Sequence, residues 1–317
     1  MSNIILTTNC NRRCPYCFAK DNISNPMQFS VENFIRVIDW LEKDNNAIHR
    51  IGFLGGEPTT HPNFFDLLSY TLSKKLNTLI FTNGIIEDPN FYKNILDLAR
   101  GYGVKNSSDL SFLVNVNEKK YRSKDEIYLQ DRFLKEFGRV STLSFNIFEE
   151  SFDPMFLISL IEQYNLKRNL RIGLAAPIGN SNKYLGVGHY KTVASKIIKL
   201  GIETTKHNII LGLDCGFIKC MFSDEELNQL ESIKTDKVTF DCCQIIDIYP
   251  NLEVSNCYPL SRLKRLNIND FDSLNDMAEN FKDSLKNIPH IFNECGDCKF
   301  LINKECDGGC KAHKAYV

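Results

Sequence analysis

The sequence lacks an excess of charge of either sign. Its 317 residues carry 38 lysines and arginines against 39 aspartates and glutamates, a net charge of −1. Proteins that bind nucleic acid normally show a basic footprint, so we expect no nucleic-acid partner. No apolar run approaches the length of a membrane span, and the first residues have neither the basic start nor the apolar stretch of a secretory signal. We therefore expect no membrane partner and a cytoplasmic location.

Cysteine is absent from the whole middle of the chain. Of 12 cysteines, three fall within the first 17 residues, none lies between residues 18 and 214, and nine lie between residues 215 and 310. Disulfides are rare in a reducing cytoplasm, so closely spaced cysteines there indicate metal ligands or redox groups. A chain of this length is about two domains. The gap predicts a first domain over residues 1–205 and a second, cysteine-rich domain over residues 206–317.

The cysteine-free segment alternates between strand and helix patterns. Strands are predicted at residues 3–8, 50–55, 78–82, 110–116, 141–147 and 170–176. Helices are predicted at about residues 30–44, 63–75, 89–101, 123–138, 153–165 and 189–201. Ser30 and Asn63 are the predicted N-caps of the first two helices. Such alternation predicts a parallel sheet, although periodicity alone does not separate a doubly wound sheet from a barrel.

Three of the cysteines form a Cys-x₃-Cys-x₂-Cys triplet, Cys10, Cys14 and Cys17, just after the apolar run Ile4-Ile5-Leu6. Three thiolates can hold three irons of a four-iron cluster and leave the fourth iron without a protein ligand, whereas an electron-transfer cluster normally takes four cysteines. A vacant position is what a catalytic metal site offers to a substrate or cofactor. Taken alone, the triplet is also compatible with a zinc site.

Two further motifs follow the triplet, each at the end of a predicted strand. Gly55-Gly56-Glu57-Pro58 follows Ile51-Gly52-Phe53-Leu54, and Thr82-Asn83-Gly84 follows Leu79-Ile80-Phe81. Together with the triplet, in which aromatic Tyr16 precedes the last cysteine, these motifs resemble the radical S-adenosylmethionine (SAM) enzymes. The resemblance implies a partial (β/α)₆ barrel with its active site at the C-terminal ends of the strands, and it disfavours zinc.

The resemblance also implies roles for individual residues. Cys10, Cys14 and Cys17 would hold a 4Fe–4S cluster whose open iron binds the amino and carboxylate groups of SAM, and Glu57 would accept a hydrogen bond from the SAM ammonium. The other implied SAM contacts are Tyr16 through its backbone, Gly55, Gly56, Pro58, Thr82, Asn83 and Asn115. Asn117 lies two residues after Asn115 and so shares its strand face. The alternative is that both asparagines are ordinary turn residues at the end of the strand. Arg171 either pairs with the methionine carboxylate of SAM or lies on the surface.

The C-terminal cysteines resemble the SPASM extension of radical SAM enzymes, a small α+β unit that holds one or two auxiliary 4Fe–4S clusters. Cys295, Cys298, Cys306 and Cys310 have the spacing Cys-x₂-Cys-x₇-Cys-x₃-Cys, and Cys242 and Cys257 lie upstream. This sequence departs from the family pattern in three ways: Leu252 replaces a glycine, the x₇ spacer replaces x₅, and no cysteine follows the last one of the run.

Cys215 and Cys220 are additional cysteines that can complete the ligand sets. We expect Cys242, Cys257 and Cys310 to share the nearer auxiliary cluster with one of this pair. Cys295, Cys298 and Cys306 are expected to share the farther cluster with the other. Adjacent Cys242 and Cys243 point in opposite directions in an extended segment, so one of the two is the spare. The alternatives are a single auxiliary cluster, or a zinc ribbon built on Cys295, Cys298, Cys306 and Cys310.

In the family, a reduced cluster gives one electron to SAM, and the resulting 5′-deoxyadenosyl radical removes a hydrogen atom from the substrate. SPASM-type members most often modify peptides or proteins, so a crosslink, epimerisation or oxidation of a peptide or protein side chain is the leading prediction, with flavodoxin or ferredoxin as electron donor. The chain starts on its first strand, so we expect no leader-peptide-binding domain. This keeps open the oxidation or rearrangement of a small molecule such as a sugar or alcohol. A metal-binding protein without catalysis is the remote alternative.

Overall fold

The computed structural model describes residues 2–22, 26–43, 50–178, 182–236, 238, 240–242 and 245–315. The strands are β1 (Ser2–Thr7), β2 (Arg50–Gly55), β3 (Asn77–Thr82), β4 (Leu110–Asn115), β5 (Ser141–Ile147), β6 (Asn169–Leu174), β7 (Ile210–Leu213), β8 (Asp247–Ile248), β9 (Glu253–Ser255) and β10 (Leu266–Asn267). The α-helices are α1 (Val31–Lys43), α2 (Phe64–Ser73), α3 (Phe91–Gly101), α4 (Lys124–Phe137), α5 (Phe156–Gln163), α6 (Tyr190–Lys206), α7 (Asp224–Ser232), α8 (Leu274–Lys286), α9 (Lys299–Ile302) and α10 (Ala312–Ala315).

The strands form one sheet in the order β10-β9-β8-β1-β2-β3-β4-β5-β6-β7. Strands β1 to β7 pair in parallel with their neighbours, and β8 joins the other edge of β1, also in parallel. Strands β9 and β10 continue that side with antiparallel pairing. The predicted parallel α/β fold is confirmed, and β7 adds a seventh parallel strand that was not predicted. The carboxyl ends of the parallel strands meet at one edge, where ligand sites of such sheets form.

One face of the sheet packs under the helices. In β5, Leu143, Phe145 and Ile147 are fully buried in the main apolar core, which includes residues from the helices. Successive residues of a strand point to opposite faces, so Ser144 and Asn146 lie on the other side, here called the inner face. The amphipathic strands therefore leave polar side chains for the inner face.

Of the two predicted N-caps, one makes the expected side-chain hydrogen bond. Ser30 Oγ accepts a hydrogen bond from the Asn33 backbone N–H at 3.1 Å, ahead of α1. Asn63 is the N-cap residue of α2, as predicted, but its side chain makes no capping hydrogen bond. The reason is its backbone, at φ −103° and ψ 25°, because a capping side chain needs the extended conformation.

The C-terminal part of the chain attaches to the first strand. The Asn3 backbone N–H donates to the Ile246 carbonyl at 2.9 Å, and Asn3 Nδ2 donates to Asp247 Oδ1 at 2.8 Å. Burial raises the pKa of Asp247 to about 7, although the bond from Asn3 opposes the shift. One sheet thus continues across residue 205, and the division into two domains there stays a prediction.

Candidate functional site

The cysteine triplet lies in the loop that leaves β1, here called the cysteine loop (residues 8–19). Cys10, Cys14 and Cys17 are each half-buried, and the Cys17 backbone N–H donates to the Cys14 carbonyl at 3.1 Å. Burial raises the pKa of Cys10 to about 12, and the charges of Glu57 and the other two thiols add to the shift. Burial likewise raises the pKa of Cys17 to about 11. These two thiols therefore hold their protons at neutral pH until a metal displaces them.

The spacing of these thiols suits a cluster better than a single ion. Among the described residues, no three His, Cys, Asp or Glu side chains meet in a group that could hold one metal ion. A mononuclear zinc site needs sulfurs at about 2.3 Å from one centre, whereas a four-iron cluster takes one thiolate at each of several corners. The donor set of three soft thiols from one short loop fits an iron–sulfur cluster with one iron left open.

Two glycines bring the end of β2 into direct contact with the cysteine loop. Gly56 N donates to the Thr7 carbonyl and Glu57 N to the Asn9 carbonyl, both at 2.8 Å. A Cβ on Gly56 would lie 2.1 Å from the Asn9 carbonyl oxygen, and one on Gly55, at φ +152°, would lie 2.1 Å from that of Thr7. Glycine is required here because two backbone segments touch. In this structure the two glycines approach the cysteine loop, and their contacts with SAM stay predictions.

The Glu57 carboxylate joins the ends of β2 and β3. Its Oε1 accepts hydrogen bonds from Thr59 N at 3.2 Å, Thr59 Oγ1 at 2.8 Å and Thr82 Oγ1 at 2.8 Å, and its Oε2 accepts one from Asn83 N at 2.7 Å. Burial raises the pKa of Glu57, while these hydrogen bonds oppose the shift. Pro58 is buried and begins the short turn Pro58–Thr60 that Glu57 caps. Glu57, Thr82 and Asn83 therefore form one hydrogen-bonded unit, and their contacts with SAM stay predictions.

Asn83 connects this unit to the cysteine loop. Its Nδ2 donates to Asn11 Oδ1 at 2.8 Å, and Asn11 Nδ2 donates to the Ile85 carbonyl at 2.9 Å. Asn83 Oδ1 accepts from Ile85 N at 2.8 Å, which closes the turn after β3. Gly84 at φ +70° completes that turn in the left-handed region, which favours glycine. The three sequence motifs thus meet at the carboxyl edge of the sheet.

Tyr16 and two asparagines form a buried polar group beside the cysteine loop. The Tyr16 hydroxyl donates to Asn115 Oδ1 at 2.6 Å, and its ring packs on Phe148 at 4.9 Å between centroids. We assign Asn117 the amide orientation in which Nδ2 donates to the Tyr16 hydroxyl at 2.6 Å and Oδ1 accepts from Arg12 at 3.1 Å, because it satisfies both atoms. The Tyr16 carbonyl, for which we predicted an adenine contact through the backbone, accepts from Asn182 Nδ2 at 3.0 Å.

Two buried polar side chains in this region were not found from the sequence. Arg12 is 4 % exposed, and its Nη1 donates to the Asn115 carbonyl at 3.3 Å. Gln130 of α4 is fully buried, donates to the Asn83 and Asn115 carbonyls, and accepts from Arg122 Nη1 at 2.8 Å. Together they fasten the ends of β3 and β4 to α4. Arg12 occupies an unspecified position inside the cysteine triplet and Gln130 stands outside the motifs, so neither carried a signal of its own in the sequence.

A row of polar residues crosses the inner face. Asn115 pairs in register with Ser144, Ser144 with Arg171, and Arg171 with Gly212 across strands β4 to β7. Arg171 Nη1 donates to Ser144 Oγ at 3.3 Å, and Nη2 forms an ion pair with Asp214. Arg171, with 34 % of its side chain exposed, is thus an inner-face residue and not a free surface arginine. The polar row runs from the Asn115 contact with Tyr16 to Asp214, the residue before Cys215.

The structure gathers the C-terminal cysteines into two groups. The first auxiliary group contains Cys215, Cys242, Cys257 and Cys310. Burial raises the pKa of Cys257, Asp247 raises it further, and so do the charges of Cys310, Cys215 and Cys242. Cys310 behaves likewise, since burial and then the charge of Cys242 raise its pKa to about 11. Cys242 N donates to Asp307 Oδ2 at 3.0 Å, which holds the Cys242 segment against the turn before Cys310.

The second auxiliary group contains Cys220, Cys295, Cys298 and Cys306. Burial raises the pKa of Cys220, and the charges of Cys306, Cys295 and Cys298 raise it further. These four cysteines line one cavity together with Ile218, Ile291 and Phe300, so soft donors and apolar walls surround a common space. The sequence left open which of Cys215 and Cys220 belongs to which set, and the structure brings Cys220 to this group. Cys243 lies outside the described residues.

Comparison with known proteins finds a matching family and several curated relatives for part of this chain. Residues 4–121 match the sequence model of the Radical SAM superfamily. Mycofactocin maturase MftC of Mycobacterium ulcerans is 32% identical over 84 residues, 26% of this chain and 22% of that protein. The S-adenosylmethionine-dependent nucleotide dehydratase of Selenomonas ruminantium is 33% identical over 82 residues, 26% and 29% of the two chains. PqqA peptide cyclase of Granulibacter bethesdensis is 23% identical over 165 residues, 47% and 40%.

The whole fold is similar to that of two solved structures. Streptococcus suis SuiB bound to S-adenosylmethionine superposes with a TM-score of 0.68 at 15% identity, over 98% of this chain and 72% of SuiB. Native anSMEcpe with bound AdoMet and Cp18Cys peptide superposes with a TM-score of 0.68 at 17% identity, over 99% and 89%. The likeness extends through the C-terminal residues. Within the described residues, no helix combines the length and apolar character needed to cross a membrane.

Proposed function

We propose that this chain, whose residues 4–121 match the Radical SAM superfamily, cleaves SAM reductively and uses the radical to modify a peptide or protein side chain. The cofactors of such a domain are a 4Fe–4S cluster and SAM. One observation carries the proposal: the cysteine loop, the Gly55–Pro58 turn and the Thr82–Gly84 turn are hydrogen-bonded to one another at the carboxyl edge of the sheet. Because the curated relatives are matched over 22 to 40% of their length, the activity of the whole protein is part of the proposal.

Each part of the site has a role under this proposal. Cys10, Cys14 and Cys17 would hold the cluster. When bound, the reduced cluster supplies one electron that breaks a carbon–sulfur bond of SAM, which leaves methionine and a 5′-deoxyadenosyl radical. Glu57 keeps the ends of β2 and β3 together. Its Oε2, which accepts a hydrogen bond from Asn83 N, would also accept one from the cofactor ammonium. Gly55, Gly56 and Pro58 hold the turn that places this carboxylate.

The inner face supports a polar substrate. The polar row Asn115, Ser144 and Arg171 offers both donors and acceptors and ends at Asp214. A peptide backbone presents one donor and one acceptor per residue, so it matches such a row. The relatives add support, since MftC is a mycofactocin maturase, the PqqA enzyme is a peptide cyclase, and anSMEcpe was solved with a peptide.

A small-molecule substrate is the second candidate. The nucleotide dehydratase relative favours it, because its identity to this chain is as high as that of the maturase. A nucleotide would need cations for its phosphates. Arg171 is the cation of the polar row, and Asp214 already neutralises it. The geometry therefore favours the peptide.

We also propose that the two auxiliary groups each hold a 4Fe–4S cluster. Four cysteines of each group influence one another electrostatically, and the second group surrounds a cavity. The first group lies next to the polar row, since Cys215 follows Asp214 in the chain. A substrate on the inner face would thus stand between two metal sites. Flavodoxin or ferredoxin in the cytoplasm would supply the electron for SAM cleavage.

Anaerobic reconstitution tests the proposal. The protein is loaded with iron and sulfide, reduced with dithionite, and assayed for 5′-deoxyadenosine from SAM. Replacement of Cys10, Cys14 and Cys17 by Ala should abolish cleavage and leave the absorbance of the auxiliary clusters, and the matched replacement of Cys295, Cys298 and Cys306 should lower absorbance without abolishing cleavage. Absence of 5′-deoxyadenosine from the loaded wild type would refute radical chemistry. Mass spectrometry with peptides encoded beside the gene, and with nucleotides, separates the two substrate classes.

A further inference from the structure

Arg12 is an unusual residue for the middle of a cluster-binding loop. Its side chain is 3% exposed, although arginine is almost never fully buried without a partner. It stands between Cys10 and Cys14, and its backbone N–H donates to Cys10 Sγ at 3.4 Å. A permanent cation is therefore buried on the loop that carries the cluster thiols.

The contacts of Arg12 fix its position without removing its charge. Nη1 donates to the Asn115 carbonyl at 3.3 Å, and Nη2 donates to Asn117 Oδ1 at 3.1 Å, both neutral acceptors. The one carboxylate in its ion pair is that of Glu126, whose Oε1 lies 3.7 Å from Nε and whose side chain is 23% exposed. Water screens a partly exposed carboxylate, so this pair compensates the cation only in part.

Arg12 is linked through Asn117 to one of the thiols that would hold the cluster. The Asn117 amide that binds the guanidinium also lies 3.7 Å from Cys14 Sγ. Three thiolates around a doubly positive oxidised core carry one net negative charge, and one-electron reduction adds a second. A buried cation stabilises the more negative state, because charges in a poorly screened site interact strongly, and local charge sets the potential of iron–sulfur clusters.

We propose that the charge of Arg12 raises the reduction potential of the cluster held by Cys10, Cys14 and Cys17. The proposal rests on the proposed function, since it presumes that this loop holds the SAM-binding cluster. Arg12 acts on the cluster through its field and its hold on the β4 end, so it is a positioning residue. Its effect is to bring the cluster within reach of a physiological one-electron donor.

The test measures the reduction potential of the reconstituted full chain by an EPR-monitored redox titration. The cluster of interest is the one whose EPR signal changes when SAM is added. In Arg12→Gln, the ratio of reduced to oxidised cluster at a fixed potential should fall at least tenfold, which is about 59 mV for a one-electron couple. Arg12→Lys keeps the charge and should restore the wild-type ratio. The comparison variant is Arg13→Gln, which removes a neighbouring cation that is exposed and screened by water, so its ratio should fall less than that of Arg12→Gln.

A second variant protects the test against loss of the cluster. Glu126→Gln keeps the capping interaction of α4, which Gln also makes, and it removes the carboxylate beside Arg12. The reduced fraction should then rise, the opposite of the effect of Arg12→Gln. If Arg12→Gln holds no cluster, a higher reduced fraction in Glu126→Gln supports the proposal and an unchanged one overturns it.

An Arg12→Gln protein that loads its cluster and titrates like wild type, or with a ratio no lower than that of Arg13→Gln, overturns the proposal. A wild type that forms no SAM-responsive cluster instead overturns the proposed function. The two failures are therefore distinguishable.

Discussion

The contact between Gly56 and the cysteine loop gives a prediction that links stability to metal binding. In Gly56→Ala, the new Cβ would lie 2.1 Å from the Asn9 carbonyl oxygen, 2.6 Å from its carbon and 2.7 Å from the Thr8 oxygen. An ordinary contact begins near 3.4 Å, so the segments must separate by about 1.3 Å. Both sides are backbone, so no side chain can swing away to make room.

The expected cost follows from the bonds that such a separation breaks. Gly56 N to Thr7 O and Glu57 N to Asn9 O are both 2.8 Å hydrogen bonds. Their loss costs about 0.5–1.5 kcal/mol each, and the remaining overpacking costs about 1–3 kcal/mol. Gly56→Ala should therefore lower the free energy of unfolding by about 2–6 kcal/mol. For a chain of this size that is a drop of about 3–9 °C in the unfolding midpoint, from the usual entropy of unfolding per residue.

Thermal unfolding and iron content of the reconstituted protein check this prediction together. Asn9 precedes Cys10, so the displaced loop should also retain less iron. The matched control is Gly101→Ala, because a Cβ on Gly101 meets nothing within 4 Å. This control should unfold at the wild-type temperature or slightly above it, since Ala restricts the unfolded chain. A Gly56→Ala protein with the midpoint and the iron content of Gly101→Ala would refute the reasoning.

Three further predictions concern the other polar groups. In Glu57→Gln, one carboxylate oxygen becomes an amide donor that faces the Asn83 N–H or the Thr82 hydroxyl. The variant should therefore lose about 2–3 kcal/mol in the free energy of unfolding, measured by chemical or thermal unfolding. Because burial raises the pKa of Glu57, the contribution of this residue to wild-type stability is lost as pH rises through that pKa. Glu57→Gln should remove this pH dependence of stability. Equal pH profiles of wild type and variant would contradict the raised pKa of Glu57. Burial lowers the pKa of His313 to about 4, so the contribution of His313 to stability is present above its ordinary pKa of 6.5 and is lost as pH falls through 4. His313→Gln should therefore reduce the loss of stability in acid by up to about 3 kcal/mol. An unchanged loss of stability between pH 6.5 and 4 would argue against this effect. Cys220→Ala with Cys306→Ala should lose no more iron than either alone, whereas Cys220→Ala with Cys257→Ala should lose the iron of two clusters; additive losses in the first pair would contradict the grouping.

The long periodic strands and helices of the parallel α/β fold could be predicted from the sequence. The predicted strand at residues 141–147 is β5 with the same bounds, and the helix predicted at about 123–138 is α4. Their apolar residues repeat at the period of each element, and seven residues or more make that period visible. Strand β8 has two residues and β10 has two, so they carry no period to detect. Strand β8 pairs with the edge of β1 that β2 leaves open, and β10 extends the sheet through β9, so both depend on the fold around them.

The site was predictable where a motif required glycine or thiols, and unpredictable where a buried group binds the chain itself. In the sequence, Arg12 is one of two adjacent arginines in a loop. Only the structure distinguishes them, because it buries Arg12 and exposes Arg13. Leu252 was noted because it replaces a glycine of the family pattern. The structure gives it φ +64°, in the left-handed region that glycine tolerates best. Its side chain is 8 % exposed, which offsets the backbone strain.

The pairing of β8 with β1 sets an order of events during synthesis. Asn3 and Asp247 bond across a separation of 244 residues, which a ribosome takes roughly 12–50 s to add at its usual rate. For that time the edge of β1, the strand that leads into the cysteine loop, has no partner. Under the proposed function, a cluster on the cysteine loop could therefore be inserted before Cys257 and the cysteines that follow it have been made. A chain that stopped short of β8 would keep β1 as an open edge, and it would tend to pair with other copies of itself.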